Sequence, residues 1–282
     1  MSISKLGIVG SGIMGSGIAE VAAKAGVDVV LRSRQQESAD AMLASLEKSL
    51  AKQVSRGKLE EQAAKEISAR VSATDDLQAL ADCDLVLESV VEDLAVKKEL
   101  FQQLDGVVKA EGILATNTST LSVVELAVTT GRPEQVVGIH FFNPAPMMSL
   151  VEVIAPLTAS EATVTTAKAF ATACGKDVVE VKDRAGFIVN ALLFPYLNNA
   201  VRMLEAGTAS RDDIDTAMKG GCNFPMGPLA LLDLVGLDTS LSILDALYDE
   251  FRDPNYAALP LLRRMVTAGQ LGRKSGAGFY TY

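Results

Sequence analysis

The chain contains a single histidine, His140, in the segment GIHFFNP. The apolar run before it, VVGI, predicts a β-strand, so the imidazole should lie at or just past the carboxyl end of that strand, where open α/β sheets bind ligands. Glu152 interrupts the apolar run LVEVIAP, and a buried carboxylate requires a partner such as an imidazole. A histidine that is oriented by a glutamate can act as a general base. The alternatives are that His140 is a core residue and that Glu152 faces water on an edge strand.

Two other polar side chains lie in apolar surroundings. Ser119 belongs to the segment NTST, which follows the apolar run ILA and offers its polar groups either to a ligand or as the N-cap of the next helix. Asn190 interrupts the segment GFIVNALLF, where its amide either makes a core hydrogen bond or contacts a ligand. Both residues are candidate site residues.

A GxGxxG motif, GSGIMG, lies between the apolar run KLGIVG and the helix-forming segment IAEVAAKAG. In such a motif Gly10 permits a tight turn, Gly12 lets the backbone approach a pyrophosphate, and Gly15 lets the helix lie close to the strand. The helix N-terminus favours the anion. The motif predicts a dinucleotide-binding loop that includes Ile13 and Met14, and the alternative is an ordinary glycine-rich turn.

The end of the second predicted strand reads LRSR and carries no acidic residue. NAD-binding folds usually place an Asp or Glu at this point to bind the ribose 2′-hydroxyl. A carboxylate would repel a 2′-phosphate, whereas Ser33 and Arg34 can hold one by hydrogen bonding and charge. The segment therefore predicts NADP(H) in preference to NAD(H). The alternative is that Arg32 and Arg34 stack over the adenine or face solvent.

Residues from about 35 to 70 are polar and rich in helix formers, which predicts a helical arm inserted in the sheet. Lys48, Lys52 and Arg56 recur every four residues and form one stripe on a continuous helix, with Lys58 just beyond. The stripe suits a polyanionic ligand. Because glutamates lie close to the stripe, a solvated helix without a ligand is an equally good interpretation.

Strands and helices alternate up to Asp183, and helical periodicity follows until a last strand candidate, GFYTY. This order predicts an α/β domain over residues 1–183, with a Rossmann-like doubly wound sheet and the inserted arm, and then an all-α domain over residues 184–282. After the first βαβ unit, the predicted strands are Leu85–Glu88, Ile113–Ala115, Val136–Ile139, Leu150–Ile154 and Val178–Val181.

Composition excludes several classes of protein. The net charge of −9 argues against a general binder of nucleic acid or anionic membranes, because both require positive surface. No apolar run reaches the roughly 18 residues of a membrane span, and glycines interrupt the N-terminal segment before a signal-peptide core. The 3 cysteines lie far apart, so neither disulfides nor a metal site are expected. We expect a cytoplasmic protein without a metal.

The segments GSGIMGSGIAE, ATNTSTLS, GIHFFNPAP, LVEVI, GFIVNALL and GRKSGAGFYTY resemble the 3-hydroxyacyl-CoA dehydrogenase family, and in particular its bacterial 3-hydroxybutyryl-CoA group. The resemblance covers essentially the whole chain. It implies a dinucleotide-binding Rossmann domain and a helical domain for substrate binding and dimerisation. It also implies a homodimer that oxidises 3-hydroxyacyl-CoA, or reduces 3-ketoacyl-CoA, with a nicotinamide cofactor.

The resemblance also implies roles for individual residues. His140 matches the general base, Glu152 the carboxylate that orients it, and Ser119 and Asn190 match contacts to the substrate. The positions matching cofactor contacts are Glu92, Lys97, Asn117, Asn143 and Lys274, and those near coenzyme A contacts are Ser49, Lys52 and Arg56. Members that use NAD carry Asp where this chain has Ser33.

Two other functions are compatible with the dinucleotide motif. A β-hydroxyacid dehydrogenase acting on a small free acid has a similar strand order but uses a lysine as its base, whereas the pairing of His140 with Glu152 favours the CoA substrate. A dinucleotide-binding protein without turnover is the second alternative. The set Ser119, His140, Glu152 and Asn190 argues against it.

Overall fold

One sheet of eight strands forms within residues 2–282, the part of the chain that the computed structural model describes. The strands are β1 (Lys5–Val9), β2 (Asp28–Arg32), β3 (Val71–Thr74), β4 (Leu85–Glu88), β5 (Ile113–Thr116), β6 (Val136–Phe141), β7 (Leu150–Ala155) and β8 (Asp177–Lys182). Their order across the sheet is β3-β2-β1-β4-β5-β6-β7-β8. Neighbouring strands are parallel except β6 and β7, which are antiparallel. The order of the first six strands is that of a Rossmann sheet, so the predicted fold class is confirmed.

The first βαβ unit runs from β1 through α1 (Ile13–Lys24) to β2. Gly10 has a φ of 136°, and a Cβ atom there would lie 2.2 Å from the carbonyl oxygen of Ser89. Only glycine fits this turn between strand and helix. A Cβ atom at Gly15 would lie 3.0 Å from the carbonyl oxygen of Gly10, so the third glycine lets α1 start close to the turn.

The arm consists of α2 (Gln36–Ser55) and α3 (Glu61–Ala69), which lie between β2 and β3 in the chain. On α2, Met42, Leu46 and Leu50 recur every four residues and are buried in the main core of the sheet. This apolar stripe attaches the arm and leaves the opposite face of α2 to polar residues. The predicted helical arm is confirmed.

Three more helices belong to the sheet-containing part of the chain. They are α4 (Leu94–Val107), α5 (Val123–Ala127) and α6 (Glu161–Ala173). Asp93 caps α4 by accepting a hydrogen bond from the N–H of Val96, and Ser160 caps α6 through the N–H of Thr163.

The chain divides into two units, Met1–Asp183 and Arg184–Tyr282. The second unit contains α7 (Val189–Glu205), α8 (Arg211–Cys222), α9 (Pro228–Val235), α10 (Leu237–Phe251) and α11 (Pro260–Thr267). Its core includes Phe194, Leu197, Leu232, Leu244 and Leu262. The predicted all-α character is confirmed.

Two details of the predicted strands were wrong. The final segment GFYTY makes only isolated bridge pairing, because Ala277 pairs with Gly272 and Thr281 outside any strand. β3 was not predicted: it has four residues, and only Val71 among them is buried, so it leaves no apolar run in the sequence. Among residues 2–282, no helix combines the length and the apolar character that crossing a membrane requires.

Candidate active site

His140 and Glu152 lie directly opposite each other on β6 and β7. Directly opposed residues of an antiparallel pair project from the same face of the sheet, so their side chains meet. His140 Nδ1 lies 2.7 Å from Glu152 Oε2. The glutamate side chain is 0% exposed and the imidazole 6%. The buried carboxylate thus has the partner that its burial requires.

The alternative that Glu152 faces water on an edge strand is wrong. β7 lies between β6 and β8, and Glu152 pairs with Val179 on the side away from His140. β7 is therefore an interior strand, and the Glu152 side chain is fully buried. His140 itself lies within β6, which continues to Phe141, rather than past the end of the strand.

Ser119 lies on the other side of the imidazole. Its Oγ is 3.2 Å from His140 Nε2. An ionised Glu152 can only accept hydrogen bonds, so His140 Nδ1 donates and Nε2 carries the lone pair. Nε2 can therefore take a proton from a hydroxyl group beside Ser119, which is the arrangement of an oriented general base. The ring of Phe142 packs against the imidazole, with ring centroids 4.5 Å apart.

The segment NTST does not cap the next helix. α5 begins at Val123, and the N–H groups of Val123 and Val124 donate to the carboxylate of Asp183 at 2.9 and 2.7 Å. The N–H of Ser119 instead donates to Glu92 Oε1 at 3.0 Å. The segment is held as a loop that presents the Ser119 hydroxyl to His140.

A cavity of about 570 Å³ opens at the glycine loop and is lined in part by Gly10, Gly12, Ser33 and Arg34. A Cβ atom at Gly12 would meet no other atom within 4 Å, so the backbone of the loop faces open space. Gly12 is the N-cap of α1 and provides no side-chain cap. The first N–H groups of the helix can therefore bind an anion, and the residues present fit a dinucleotide pyrophosphate.

Three polar residues, Arg32 at the end of β2 and Ser33 and Arg34 just after it, lie at the rim of this cavity. Ser33 is buried, and its N–H donates to the carbonyl oxygen of Thr74 at 3.1 Å. Arg32 is half-buried and its Nε donates to the carbonyl oxygen of Asp75 at 3.3 Å. Arg34 is exposed. All three line the cavity, where the sequence analysis placed the recognition of the ribose 2′-group.

The comparisons with known proteins cover both units. Residues 5–184 match the family described as 3-hydroxyacyl-CoA dehydrogenase, NAD binding domain, and residues 186–282 match its C-terminal domain. The chain belongs to the 3-hydroxyacyl-CoA dehydrogenase family. The resemblance in the sequence is thereby confirmed, and the first unit is an NAD-binding domain by family.

Relatives of this dehydrogenase family member match over their full length. A 3-hydroxybutyryl-CoA dehydrogenase of Clostridioides difficile is 49% identical over 99% of this chain and 99% of its own. The crystal structure of (S)-3-hydroxybutyryl-CoA dehydrogenase PaaH1 from Ralstonia eutropha superposes with a TM-score of 0.98 at 41% identity, covering 100% of this chain and 99% of that one. That of Mycobacterium tuberculosis FadB2 gives 0.97 at 48% identity, with 100% of both chains covered.

Glu92 and Lys97, two predicted cofactor contacts of this family member, belong to a network of charged groups. Lys97 is 1% exposed, and its ammonium lies 2.6 Å from Glu88 Oε1 and 3.2 Å from Glu92 Oε2. Glu88, which is central to this network, was not among the predicted site residues. The signal for it was a glutamate at the end of the apolar strand LVLE, which requires a buried partner as Glu152 does.

Asn117 and Asn143 are also predicted cofactor contacts. Asn117 lies near His140 in the sheet, and Asn143 lies near it in the chain. Asn117 Oδ1 accepts a hydrogen bond from the N–H of Phe141 at 2.8 Å, so its amide links the ends of β5 and β6. Asn143 is exposed in the turn after β6. The contacts of both residues with a cofactor stay predictions.

The predicted coenzyme A contacts lie on the polar side of α2. Lys52 and Arg56 are exposed, as is Lys48 of the same stripe. Ser49 is half-buried, and its Oγ accepts a hydrogen bond from Gln53 Nε2 at 3.3 Å. Three cations spaced four residues apart therefore face solvent along α2 and at its C-cap, Arg56.

The remaining predicted site residues belong to the second unit. Asn190 is buried in the first turn of α7. Lys274 is half-exposed, and its Nζ lies 2.6 Å from the carboxylate of Asp238. The roles of Asn190 toward substrate and of Lys274 toward cofactor stay predictions.

Proposed function

We propose that this protein interconverts 3-hydroxybutyryl-CoA and acetoacetyl-CoA, with NADP(H) preferred over NAD(H) and His140 as the general base. The observation that carries the proposal is the hydrogen-bonded series Ser119, His140 and Glu152 in a member of the 3-hydroxyacyl-CoA dehydrogenase family. Relatives named 3-hydroxybutyryl-CoA dehydrogenase match over the full length, which supports the substrate.

The residues of the series each have a defined task. In oxidation, His140 Nε2 removes the proton of the 3-hydroxyl group as the hydride leaves C3, and Glu152 stabilises the imidazolium that forms. In reduction, the imidazolium returns this proton to the 3-oxygen. Ser119 Oγ lies beside the same nitrogen and donates a hydrogen bond to the 3-oxygen. A nicotinamide dinucleotide supplies or accepts the hydride.

Substrate and cofactor are held by groups around this series. The glycine loop and Glu92, Lys97, Asn117, Asn143 and Lys274 serve the cofactor, and Asn190 contacts the acyl substrate. On α2, Ser49, Lys52 and Arg56 bind the phosphates of coenzyme A, because an exposed pair of cations suits a polyanion.

The cofactor preference depends on Ser33 and Arg34. Neither residue carries a negative charge that would repel a 2′-phosphate, and both line the cavity of the glycine loop. An arginine binds phosphate oxygens through a charged, fork-shaped group of N–H donors. Replacement Ser33→Asp should reverse the preference, since a carboxylate there accepts from a ribose 2′-hydroxyl and repels a phosphate.

The purified protein should oxidise NADPH when acetoacetyl-CoA is added. Parallel assays use NADH, and free acetoacetate replaces the thioester in a third assay. We expect kcat/KM to favour NADPH about tenfold, the ratio that one charge-assisted hydrogen bond contributes. A preference for NADH would overturn the cofactor proposal alone. Reduction of acetoacetate but not of acetoacetyl-CoA would support the β-hydroxyacid alternative. Reduction of neither compound would support the non-catalytic alternative.

The structure does not favour the β-hydroxyacid alternative, which needs a lysine as base. Lys97 is a buried lysine of the first unit, and its ammonium is already ion-paired with Glu88 at 2.6 Å. His140, by contrast, has its second nitrogen directed at the Ser119 hydroxyl.

The proposal also includes a homodimer, formed through the second unit, and a cytoplasmic location. On the outer side of α7 and just before it, Ile188, Leu192 and Met203 are 38%, 72% and 44% exposed. Exposed apolar side chains grouped on one helix are typical of protein interfaces. Light scattering after size exclusion should give twice the chain mass for the wild type and a smaller mass for Leu192→Glu.

A further inference from the structure

Glu88 occupies a buried position at the carboxyl edge of the sheet, where three hydrogen-bond donors converge on it. It is the last residue of β4, and its side chain is 0% exposed. Oε1 accepts from the N–H of Val90 and from Lys97 Nζ, both at 2.6 Å. Oε2 accepts from Thr116 Oγ1 at 2.7 Å. Both oxygens of the carboxylate are therefore in use.

The two hydrogen bonds to Glu88 Oε1 hold the wall of the cavity that opens at the glycine loop. Val90 lies in the loop between β4 and α4, and this loop lines the cavity. Lys97 lies on α4, one residue after Val96, which lines the same cavity. One carboxylate oxygen thus ties the loop and the helix to the end of β4.

Two series of polar contacts connect Glu88 to the loop that carries Ser119. One runs through Thr116, and the other runs through Lys97 and Glu92. Thr116 Oγ1, which donates to Glu88, accepts from the N–H of Thr118 at 3.2 Å. Lys97, which pairs with Glu88, also lies 3.2 Å from Glu92 Oε2, and Glu92 Oε1 accepts from the N–H of Ser119 at 3.0 Å. The backbone that leads into Ser119 is therefore anchored through Glu88 at two consecutive N–H groups.

A carboxylate is the group that this position requires. Two partners of Glu88, the Val90 N–H and Lys97 Nζ, can only donate, so a glutamine could keep these two bonds only through its carbonyl oxygen. Lys97 would in either case lose its closest compensating charge. A buried ion pair is weak evidence for a role in stability, because apolar residues of similar volume in its place often stabilise the fold equally well. The location of this pair between the cavity and the Ser119 loop suggests a different role.

We propose that Glu88 is a positioning residue, which holds the dinucleotide loop and the Ser119 loop in the geometry for hydride transfer at His140. This role rests on the proposed function. Glu88 touches no reacting atom in it. It acts through Val90 on cofactor binding and through Thr116 and Lys97 on the placement of Ser119.

The test compares Glu88→Gln with a control at the opposite end of the same strand. Asp84 directly precedes β4, is buried, and pairs with Lys109 at 2.6 Å while accepting from the N–H of Ser4 at 2.7 Å. Asp84→Asn therefore removes a carboxylate that is paired with a lysine at the start of the same strand, away from the cavity. NADPH dissociation constants come from NADPH fluorescence, without any acyl substrate, and kcat and KM from acetoacetyl-CoA reduction.

We expect both variants to melt at lower temperature than the wild type. Only Glu88→Gln should raise the dissociation constant of NADPH, about tenfold, the ratio that one charge-assisted hydrogen bond contributes. It should also lower kcat and leave the KM for acetoacetyl-CoA unchanged. Unchanged NADPH binding and kcat in Glu88→Gln, or equal losses in Asp84→Asn, would overturn the proposal. An inactive wild type would instead refute the proposed function, and the NADPH titration would still test Glu88.

A second variant covers the case in which Glu88→Gln does not fold. Thr116→Val keeps the shape of the side chain and every charge but removes the bond to Glu88 and the acceptor for Thr118. It should lower kcat several-fold with NADPH binding unchanged, because it releases only the Ser119 side of the network. Unchanged kcat in a folded Thr116→Val variant would contradict the role of Glu88 in placing Ser119.

Discussion

The position of one proton on His140 determines what this residue can do. Glu152 Oε2 lies 2.7 Å from His140 Nδ1, where an ionised carboxylate accepts the proton of Nδ1, and Nε2 lies 3.2 Å from Ser119 Oγ. The carboxylate thus fixes the tautomer, the orientation of the ring and a favourable charge for the imidazolium.

Replacing His140 with glutamine should remove the base and leave the cofactor cavity unchanged. We expect kcat for acetoacetyl-CoA reduction to fall about 10³-fold, within the usual contribution of a general acid–base residue. NADPH binding, measured by fluorescence titration, should stay within twofold of the wild type because the cavity residues do not include His140. Near-normal turnover would show that another group moves the proton.

Glu152→Gln should reduce kcat less, by about 10²-fold, because the base remains in place without its supporting charge. A matched control is Glu180→Gln on the neighbouring strand β8. Glu180 is an exposed carboxylate paired with Lys168 at 2.7 Å. Its loss should leave kcat unchanged, since exposed ion pairs contribute little. Equal losses in the two variants would contradict a specific role for Glu152.

The sequence predicted this part of the site because its residues interrupt apolar runs. A glutamate within LVEVI and a histidine at the end of VVGI each require a partner, and the two runs follow one another in the chain. Asp183, by contrast, was considered only as a domain boundary. Its binding of the N–H groups of Val123 and Val124 joins segments far apart in the chain, and no periodicity reports such a contact.

At the scale of elements, α2 has a buried apolar face and an exposed polar face. Met42, Leu46 and Leu50 are buried in the core, whereas Lys52 and Arg56 face solvent. The helix-forming composition of residues 35–70 predicted the helix, but the spacing of the cations by four residues did not distinguish a ligand-binding stripe from a solvated one. β3 was missed because a short, half-buried strand has no apolar pattern, and its pairing with β2 determines it instead.

The two faces of α2 should respond differently to substitution. The double variant Lys52→Ala and Arg56→Ala should raise the KM for acetoacetyl-CoA about tenfold, with a larger effect at low salt, because the attraction between exposed charges is screened by ions. Lys65→Ala on α3, an exposed lysine paired with Glu61, is the control and should leave KM unchanged. Leu46→Ala should instead lower the free energy of unfolding by about 2–5 kcal/mol, measured by urea denaturation. An unchanged KM in the double variant would remove α2 from the substrate site.

At the scale of the whole molecule, buried carboxylates link stability to pH. Burial raises the pKa of Asp84, but hydrogen bonds from Lys109 and Ser4 outweigh burial and hold the pKa well below its ordinary value. Burial of Glu20 is likewise outweighed by hydrogen bonds from Lys24, Ser49 and Gln53, so the pKa of Glu20 is lowered. Asp84 joins the N-terminal segment to β4, and Glu20 joins α1 to the arm.

A lowered pKa in the folded state means that the ionised carboxylate stabilises the fold. This contribution is complete above the pKa of the unfolded chain, which is about 4 for a carboxyl group, and it is lost as the pH falls toward the folded pKa. The first unit should therefore melt at progressively lower temperature as the pH falls below about 5. Asp84→Asn should be less stable than the wild type at pH 7, and the difference should shrink in acid because the wild type then loses the same ionised group. Calorimetric melting temperatures of both proteins from neutral to acidic pH test this. A difference that stays constant with pH would show that Asp84 stabilises the fold through its shape and hydrogen bonds rather than its charge.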